Sequence, residues 1–262
     1  MFRNRIVLAA AAAVTAAGAV AFAGVSAFGA TGTAAHTLPT LNAPGLHAVA
    51  PAAPQASETT VPPTTGPGCN YHATIPADRF KGVPVFNAAQ AAQPYIVRFV
   101  TTQGVITVKM DTTAAPCTTY SFRFLASKGY FNQTHCHRLT TSGIYILQCG
   151  DPTGTGAGAP GYTFNDENLN GATYPAGTVA MANAGPDTNG SQFFFVWKNT
   201  TLSPDYTPFG TVISGMNVLA RIAAAGDDQQ NGPGDGYPTL YTQFQYVQII
   251  AQGQGGQGPG GF

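Results

Sequence analysis

The segment "HCHRLTTSGIYILQCGD" (135–151) opens with two histidines and a cysteine in three consecutive positions and carries a further cysteine at 149. A metal centre or a redox pair could be built from such residues. If 135–139 is a strand, alternation sends His135 and His137 to one face and Cys136 to the other. A tetrahedral zinc site needs ligands that converge on one point, so these three cannot hold one ion without a distorted backbone. Neither C-x-x-C nor H-E-x-x-H occurs in the chain, which also removes a thioredoxin-type pair. Histidines satisfied in the core or at the surface are the better reading, and no metal is expected. What remains is Arg138, a cation at the centre of a β-rich run with few carboxylates near it in sequence, and Gln148 on the following strand.

Those two side chains need a sheet to hold them. "YIVRFVTTQGVITVKM" (95–110) reads as a hairpin turning near Gln103-Gly104. Pro116 suits the first turn of a helix whose face carries Phe122, Leu125 and Ala126, with Gly129 as its stop. A second helix is expected at 215–225, with Val218, Ile222 and Ala225 on one face and Gly226 after it. "TVAMA", "SQFFFVW" and "FQYVQII" (244–250) supply further short strands between Gly/Pro/Asn turns. Many short strands and two helices imply a mostly antiparallel barrel.

Composition limits the partners and the compartment. Charged residues are 8% of the chain and the formal net charge is zero, so no basic surface argues for nucleic acid. Residues 1–30 combine "MFRNR" with an uncharged run from Ile6 to Ala30, which reads as an export signal; uncleaved, it is long enough to anchor in a membrane. Residues 31–68 are a Pro/Ala/Thr-rich linker, and 252–262 a Gly/Gln-rich tail, both expected to be disordered. One domain, 69–251, lies between them, with its dense apolar pattern in 92–251. The expected location is outside the cytoplasm, either secreted or anchored and facing outward.

Several segments together resemble the cyclophilin-type peptidyl-prolyl isomerases. "CHRLTTSGIYILQCGDPTGTGAGAPGYTFNDEN" resembles the family's Phe-His-Arg strand, its Gln-Gly-Gly-Asp strand end and the glycine-rich loop after it. "GTVAMANAGPDTNGSQFFF" (177–195) matches the family's most specific motif almost throughout, and "YTPFGTVISGMNVLARIAAAG" is similar to its Val-Phe-Gly strand and closing helix. The likeness covers about residues 92 to 251 and looks most like an exported actinobacterial branch. It implies a closed antiparallel barrel of about eight strands capped by two α-helices. It also implies isomerase activity on Xaa-Pro bonds of exported proteins without any cofactor, or, as the alternative, a non-catalytic module that binds proline-containing segments.

Position by position, the resemblance makes Arg138 the catalytic arginine with Gln148 beside it, and Phe194 the floor of the proline pocket. His137, Tyr145, Ile146, Gln192, Leu202 and Tyr206 become substrate-binding residues, and Ala182, Asn183 and Ala184 a backbone ledge for an extended substrate. The loop from Arg138 to Gln148 is two residues longer than usual through "TTSG". Tyr145 and Ile146 replace the usual Phe and Met, Tyr206 stands where histidine is frequent, and "NTTL" (199–202) replaces the rim tryptophan. Trp197 lies too early to substitute. Cyclosporin is therefore expected to bind, but more weakly than to typical members, and a monomer is expected.

Outside the cytoplasm Cys69, Cys117, Cys136 and Cys149 are expected to form two disulfides. A hairpin centred on Ser142-Gly143 sets Cys136 opposite Cys149. A shared face for Arg138 and Gln148, which the resemblance implies, shifts the register by one, and a one-residue slip exchanges the faces. Only a bulge reconciles the two, so the site register argues against a Cys136–Cys149 bond.

Overall fold

The computed structural model describes residues 68–251; the expected export segment, all but the last residue of the linker, and the C-terminal tail lie outside the described residues. The elements are β1 (His72–Ala77), α1 (Ala88–Ala91), β2 (Tyr95–Thr101), β3 (Gly104–Met110), α2 (Pro116–Ser127), β4 (Arg138–Thr140), β5 (Ile146–Cys149) and β6 (Pro160–Thr163). They continue with β7 (Thr178–Met181), β8 (Phe193–Val196), β9 (Pro208–Ser214), α3 (Met216–Ala224), β10 (Asp235–Gly236) and β11 (Phe244–Ala251).

The expected hairpin is β2–β3, paired from Ile96–Lys109 to Thr101–Gly104 across a two-residue turn. Alternation decides its faces: Val97, Phe99, Ile106 and Val108 are buried while their neighbours are half-exposed. α2 starts on Pro116 and ends before Gly129, whose φ of +66° permits the left-handed stop that a side chain resists. No side chain within α2 caps its first turn. Glu167 does so from fifty residues away, accepting from the N–H groups of Cys117 (3.0 Å) and Thr118 (2.7 Å) and from the Thr118 hydroxyl (2.8 Å).

Nine strands form one antiparallel sheet in the order β10-β4-β5-β8-β7-β9-β3-β2-β11, and β1 pairs with β6 in a second sheet of two strands. The ladder is linear, but its two ends approach one another. The residues leading into β4 bond those opening β11: Cys136 N–H to Thr242 C=O at 2.9 Å, and Phe244 N–H to Thr134 C=O at 2.8 Å. The sheet must curl round to allow this. The concave side encloses an aromatic core in which Phe99 touches Phe122, Phe193, Phe195 and Phe244.

The architecture corrects two expectations. In place of a closed barrel of about eight strands, the sheet has nine strands with no ladder between β10 and β11, and β1–β6 is added beside it. Three helices are present among the described residues rather than two, because α1 is a single four-residue turn capped by Asn87 with no apolar periodicity to announce it.

The disulfides correct a third. Cys69 bonds Cys117, tying the N-terminal arm to the start of α2, and Cys136 does bond Cys149. The site register nevertheless holds, with Arg138 directly opposite Gln148 and Leu139 opposite Leu147. His137 reconciles them. Its N–H donates to the Gln148 carbonyl at 3.0 Å, so His137 and Arg138 both stand against Gln148. This extra residue is a β-bulge, and upstream of it the register slips by one, which brings Cys136 to Cys149.

Candidate active site

Across the convex side of the sheet runs one row of four residues. Arg138 pairs with Gln148, Gln148 with Phe194, and Phe194 with Ala180, from β4 through β5 and β8 to β7. In "FFFV" the period of two sends Phe193 and Phe195 into the aromatic core and turns Phe194 and Val196 outward. Phe194 is still only 2% exposed, because Ile146, Tyr174, Ala180 and Val196 pack round it, with Ile144, Ala172, Ala182, Leu202 and Tyr206 at their edge. This second apolar cluster lies on the same row as Arg138, along β5, β8 and β7.

The structure brings Ile146, Leu202 and Tyr206 together round Phe194; the Tyr206 ring stands edge-on to Phe194 with centroids 5.7 Å apart. Tyr145 does not join them. Its ring packs on Trp197 (5.1 Å) beneath the Lys198 ammonium (4.4 Å), since it alternates with Ile144 and Ile146, which take the pocket side. Trp197 itself donates to the Thr140 carbonyl at 3.0 Å and stays out of the pocket.

Gln148 donates to Gln192 Oε1 at 2.9 Å, and Gln192 Nε2 reaches the carbonyls of Gly156 (2.8 Å) and Gly158 (3.1 Å). These amides join the row to the glycine-rich loop. Asp151 holds that loop in shape, accepting from the N–H groups of Thr153 (2.7 Å), Thr155 (3.1 Å), Gly156 (2.6 Å) and Gly158 (3.1 Å). A Cβ at Gly158 would collide with the Asp151 carboxylate, so glycine is required there. Burial alone would raise the Asp151 pKa, but the hydrogen bonds from Thr153 and Gly158 outweigh it and hold it below the usual carboxylate value.

The ledge follows β7. Ala182 N–H donates to Gln192 C=O at 3.0 Å, the Asn183 side chain donates to Asp205 C=O at 2.7 Å, and Ala184 N–H donates to the Thr188 hydroxyl at 2.9 Å. Among the described residues the main-chain N–H and C=O of Asn183 have no partner, which suits an added extended chain.

The histidines of the opening motif do not converge. His135 packs on Tyr241 at 5.5 Å and against Gly154, while His137 is only 6% exposed, with neither ring nitrogen bonded. Burial pushes the His137 pKa down to about 4, against the weaker upward pull of Asp151.

Two contributors carried no signal that the spacing rules capture. Asp235, 97 positions from Arg138, forms a bidentate pair with it: Nε to Oδ1 at 2.9 Å and Nη2 to Oδ2 at 2.6 Å. The other is Tyr174, buried behind Phe194, whose hydroxyl contacts the backbone of Tyr206. A lone aromatic in the turn-rich "GATYPAG" was its only mark.

The description "Cyclophilin type peptidyl-prolyl cis-trans isomerase/CLD" matches residues 96–238. The chain belongs to the cyclophilin family. Its similarity to the probable peptidyl-prolyl cis-trans isomerase B of Mycobacterium tuberculosis is 48% identity over 156 residues, 54% of this chain and 50% of that protein. The Mycobacterium leprae protein of the same description is 43% identical over 163 residues, 57% of this chain and 55% of that one. The cyclophilin chain thus spans about half the length of these mycobacterial relatives. The mouse peptidyl-prolyl cis-trans isomerase-like 1 is 40% identical over 148 residues, 55% of this chain and 88% of that protein. A crystal structure of a Cryptosporidium parvum cyclophilin type peptidyl-prolyl cis-trans isomerase superposes with a TM-score of 0.53 at 29% identity, over 61% of this cyclophilin and 99% of that chain.

Proposed function

We propose that this cyclophilin catalyses cis–trans interconversion of Xaa-Pro bonds in exported polypeptides. The observation that carries the reading is the row Arg138–Gln148–Phe194, which sets a guanidinium in line with the apolar cluster round Phe194, with the main chain of Asn183 after β7 unpaired among the described residues. Rotation about an amide costs about 18–20 kcal/mol because resonance is lost. In the twisted transition state the prolyl nitrogen regains its lone pair. Arg138 donates a hydrogen bond to that nitrogen, an interaction absent from the planar ground state, and so stabilises the transition state selectively. Phe194, Ile146, Leu202 and Tyr206 hold the ring while the preceding carbonyl swings. The Cryptosporidium parvum protein, whose structure was also determined in the presence of the dipeptide Ala-Pro, supports this substrate class.

Exchange spectroscopy on an Ala-Pro peptide tests the reading. Catalytic amounts of the protein should raise the cis–trans exchange rate well above the uncatalysed one. Peptide binding with an unchanged rate would overturn the enzyme and leave the non-catalytic proline-binding module.

The setting we propose is outside the cytoplasm, with residues 1–30 as signal or anchor and 31–68 as linker. All four cysteines being paired supports an oxidising compartment. Among the described residues no helix is long and apolar enough to cross a membrane. A reporter active only in the cytoplasm, fused after residue 68, should stay dark; a bright fusion would end this part of the reading. Cyclosporin should bind about tenfold or more weaker than to typical members, since an aromatic rim contact is missing; nanomolar binding by calorimetry would contradict it.

A further inference from the structure

Arg138 is held by one edge only. Asp235 lies opposite Thr140 in the β10–β4 pair, two residues along from Arg138, so the two side chains are diagonal neighbours on one face. The carboxylate takes Nε at 2.9 and 3.2 Å and Nη2 at 2.6 Å, with the two side chains 27% and 24% exposed. Nη1 makes no hydrogen bond among the described residues. Asp235 is itself fixed: its N–H donates to Gly232 C=O at 3.0 Å, its C=O accepts from Asn231 N–H at 3.0 Å, and Asn231 Nδ2 donates to its Oδ1 at 3.2 Å. The same loop is pinned to β4's end through Thr141 N–H and Gly234 C=O at 2.8 Å.

We propose that Asp235 is a positioning residue for isomerisation: it grips the Nε/Nη2 edge of Arg138 and leaves Nη1 as the donor for the twisted prolyl nitrogen. The inference rests on the isomerase reading above and adds to it. A free arginine spreads over many rotamers, and freezing it during the reaction would consume side-chain entropy. The clamp removes that freedom beforehand. Its partial neutralisation of the guanidinium matters little, because the acceptor is the lone pair of an uncharged nitrogen and needs a donor in the right direction more than net charge. Reorganisation of a mobile donor is the larger loss.

Peptide exchange spectroscopy on wild type, Asp235→Ala, Arg138→Ala and the double variant tests this, with peptide affinity measured by titration in each. Asp235→Ala should lower kcat about tenfold while affinity stays within about twofold. In the Arg138→Ala background the same change should have no further effect on rate, whereas a merely structural role would lower both backgrounds alike. The Arg138 Nε–H resonance should be distinct and slowly exchanging in wild type and should shift and broaden in Asp235→Ala. Asp235→Asn, which keeps the loop's shape, should show the same rate loss if Asp235→Ala does not fold. If wild type accelerates exchange and Asp235→Ala does so equally or better, or if the losses add, the positioning role falls and the isomerase reading stands. If wild type itself leaves exchange unchanged, both fall.

Discussion

The Tyr174 hydroxyl holds the Tyr206 backbone at both ends, accepting from its N–H at 3.1 Å and donating to its C=O at 2.8 Å. Tyr174 also packs its ring on Phe194 and Tyr206, with centroids 6.4 and 6.3 Å away. One residue therefore packs behind Phe194 and tethers the segment that carries Tyr206.

Tyr174→Phe keeps the ring and removes the tether. Leaving two part-buried backbone groups unpaired should cost about 1–3 kcal/mol of stability. Mobility of Tyr206 should weaken peptide affinity several-fold with little change in kcat. Urea unfolding and peptide titration read the two effects; an unchanged affinity would show that Tyr206 is held by its ring contacts alone.

The Cys136–Cys149 bond closes a short loop, 13 residues apart in sequence, and is buried beside the site. On a chain-entropy account a loop of this size contributes about 3 kcal/mol. Cys136→Ala with Cys149→Ala should lose about that much in chemical denaturation. Activity should also fall, because the bulge at His137 that sets Arg138 against Gln148 is no longer anchored from outside. Peptide mapping under non-reducing conditions should recover 69–117 and 136–149 pairs.

The strands and both longer helices were legible because they rest on local periods: alternation in "YIVRFVT" and "FFFV", Pro116 and Gly129 at the ends of α2. The register of Arg138 with Gln148 followed from the resemblance. The bulge did not, because it depends on which carbonyl His137 N–H selects, and either register is available to the sequence. Asp235 and Glu167 lay beyond any spacing rule, since the folded topology alone brings them to Arg138 and to the start of α2. Tyr145 misled for a simple reason: in an alternating strand only one parity faces the pocket, and Ile144 and Ile146 have it.

Glu167 supplies both a charge and two carboxylate acceptors for backbone N–H groups at the positive end of α2. Glu167→Gln keeps one acceptor and loses the charge, and Glu167→Ala loses everything. Stability should fall by about 0.5–1 kcal/mol for the first and about 1–2 kcal/mol for the second. Thermal melts at matched salt check the order, and equal losses would assign the effect to packing.

Arg138 and Phe194 should fail by different routes. Arg138→Ala should lower kcat/KM through kcat, and Arg138→Lys should rescue poorly, since an ammonium cannot engage Asp235 by an edge and present a second donor at once. Phe194→Ala empties the pocket floor, so it should weaken peptide affinity and cost about 3–5 kcal/mol of stability. Separate measurement of kcat and affinity distinguishes them; a pure affinity loss in Arg138→Ala would move the arginine from chemistry to binding.

His137 gives the fold a specific acid sensitivity. Its imidazole is buried at the bulge and its pKa lies at about 4, against an ordinary 6.5, chiefly through burial. Asp151 pulls the value upward, while His135 and Arg138 push it further down. Between those two pH values the unfolded chain binds a proton that the folded chain does not, so acidification favours unfolding throughout the window. Stability should decline from pH 6.5 to pH 4 by up to about 3 kcal/mol and then level off for this group. Asp151 and Asp235 act with the same sign in a lower window: their folded pKa values lie below the ordinary 3.8, so their stabilisation is full above it and is lost only in stronger acid. The two processes therefore separate along the pH axis. Urea unfolding at pH 7, 6, 5 and 4 on wild type and His137→Phe should show a steep loss in the first and a much flatter profile in the second. Parallel profiles would mean that another group takes up the proton.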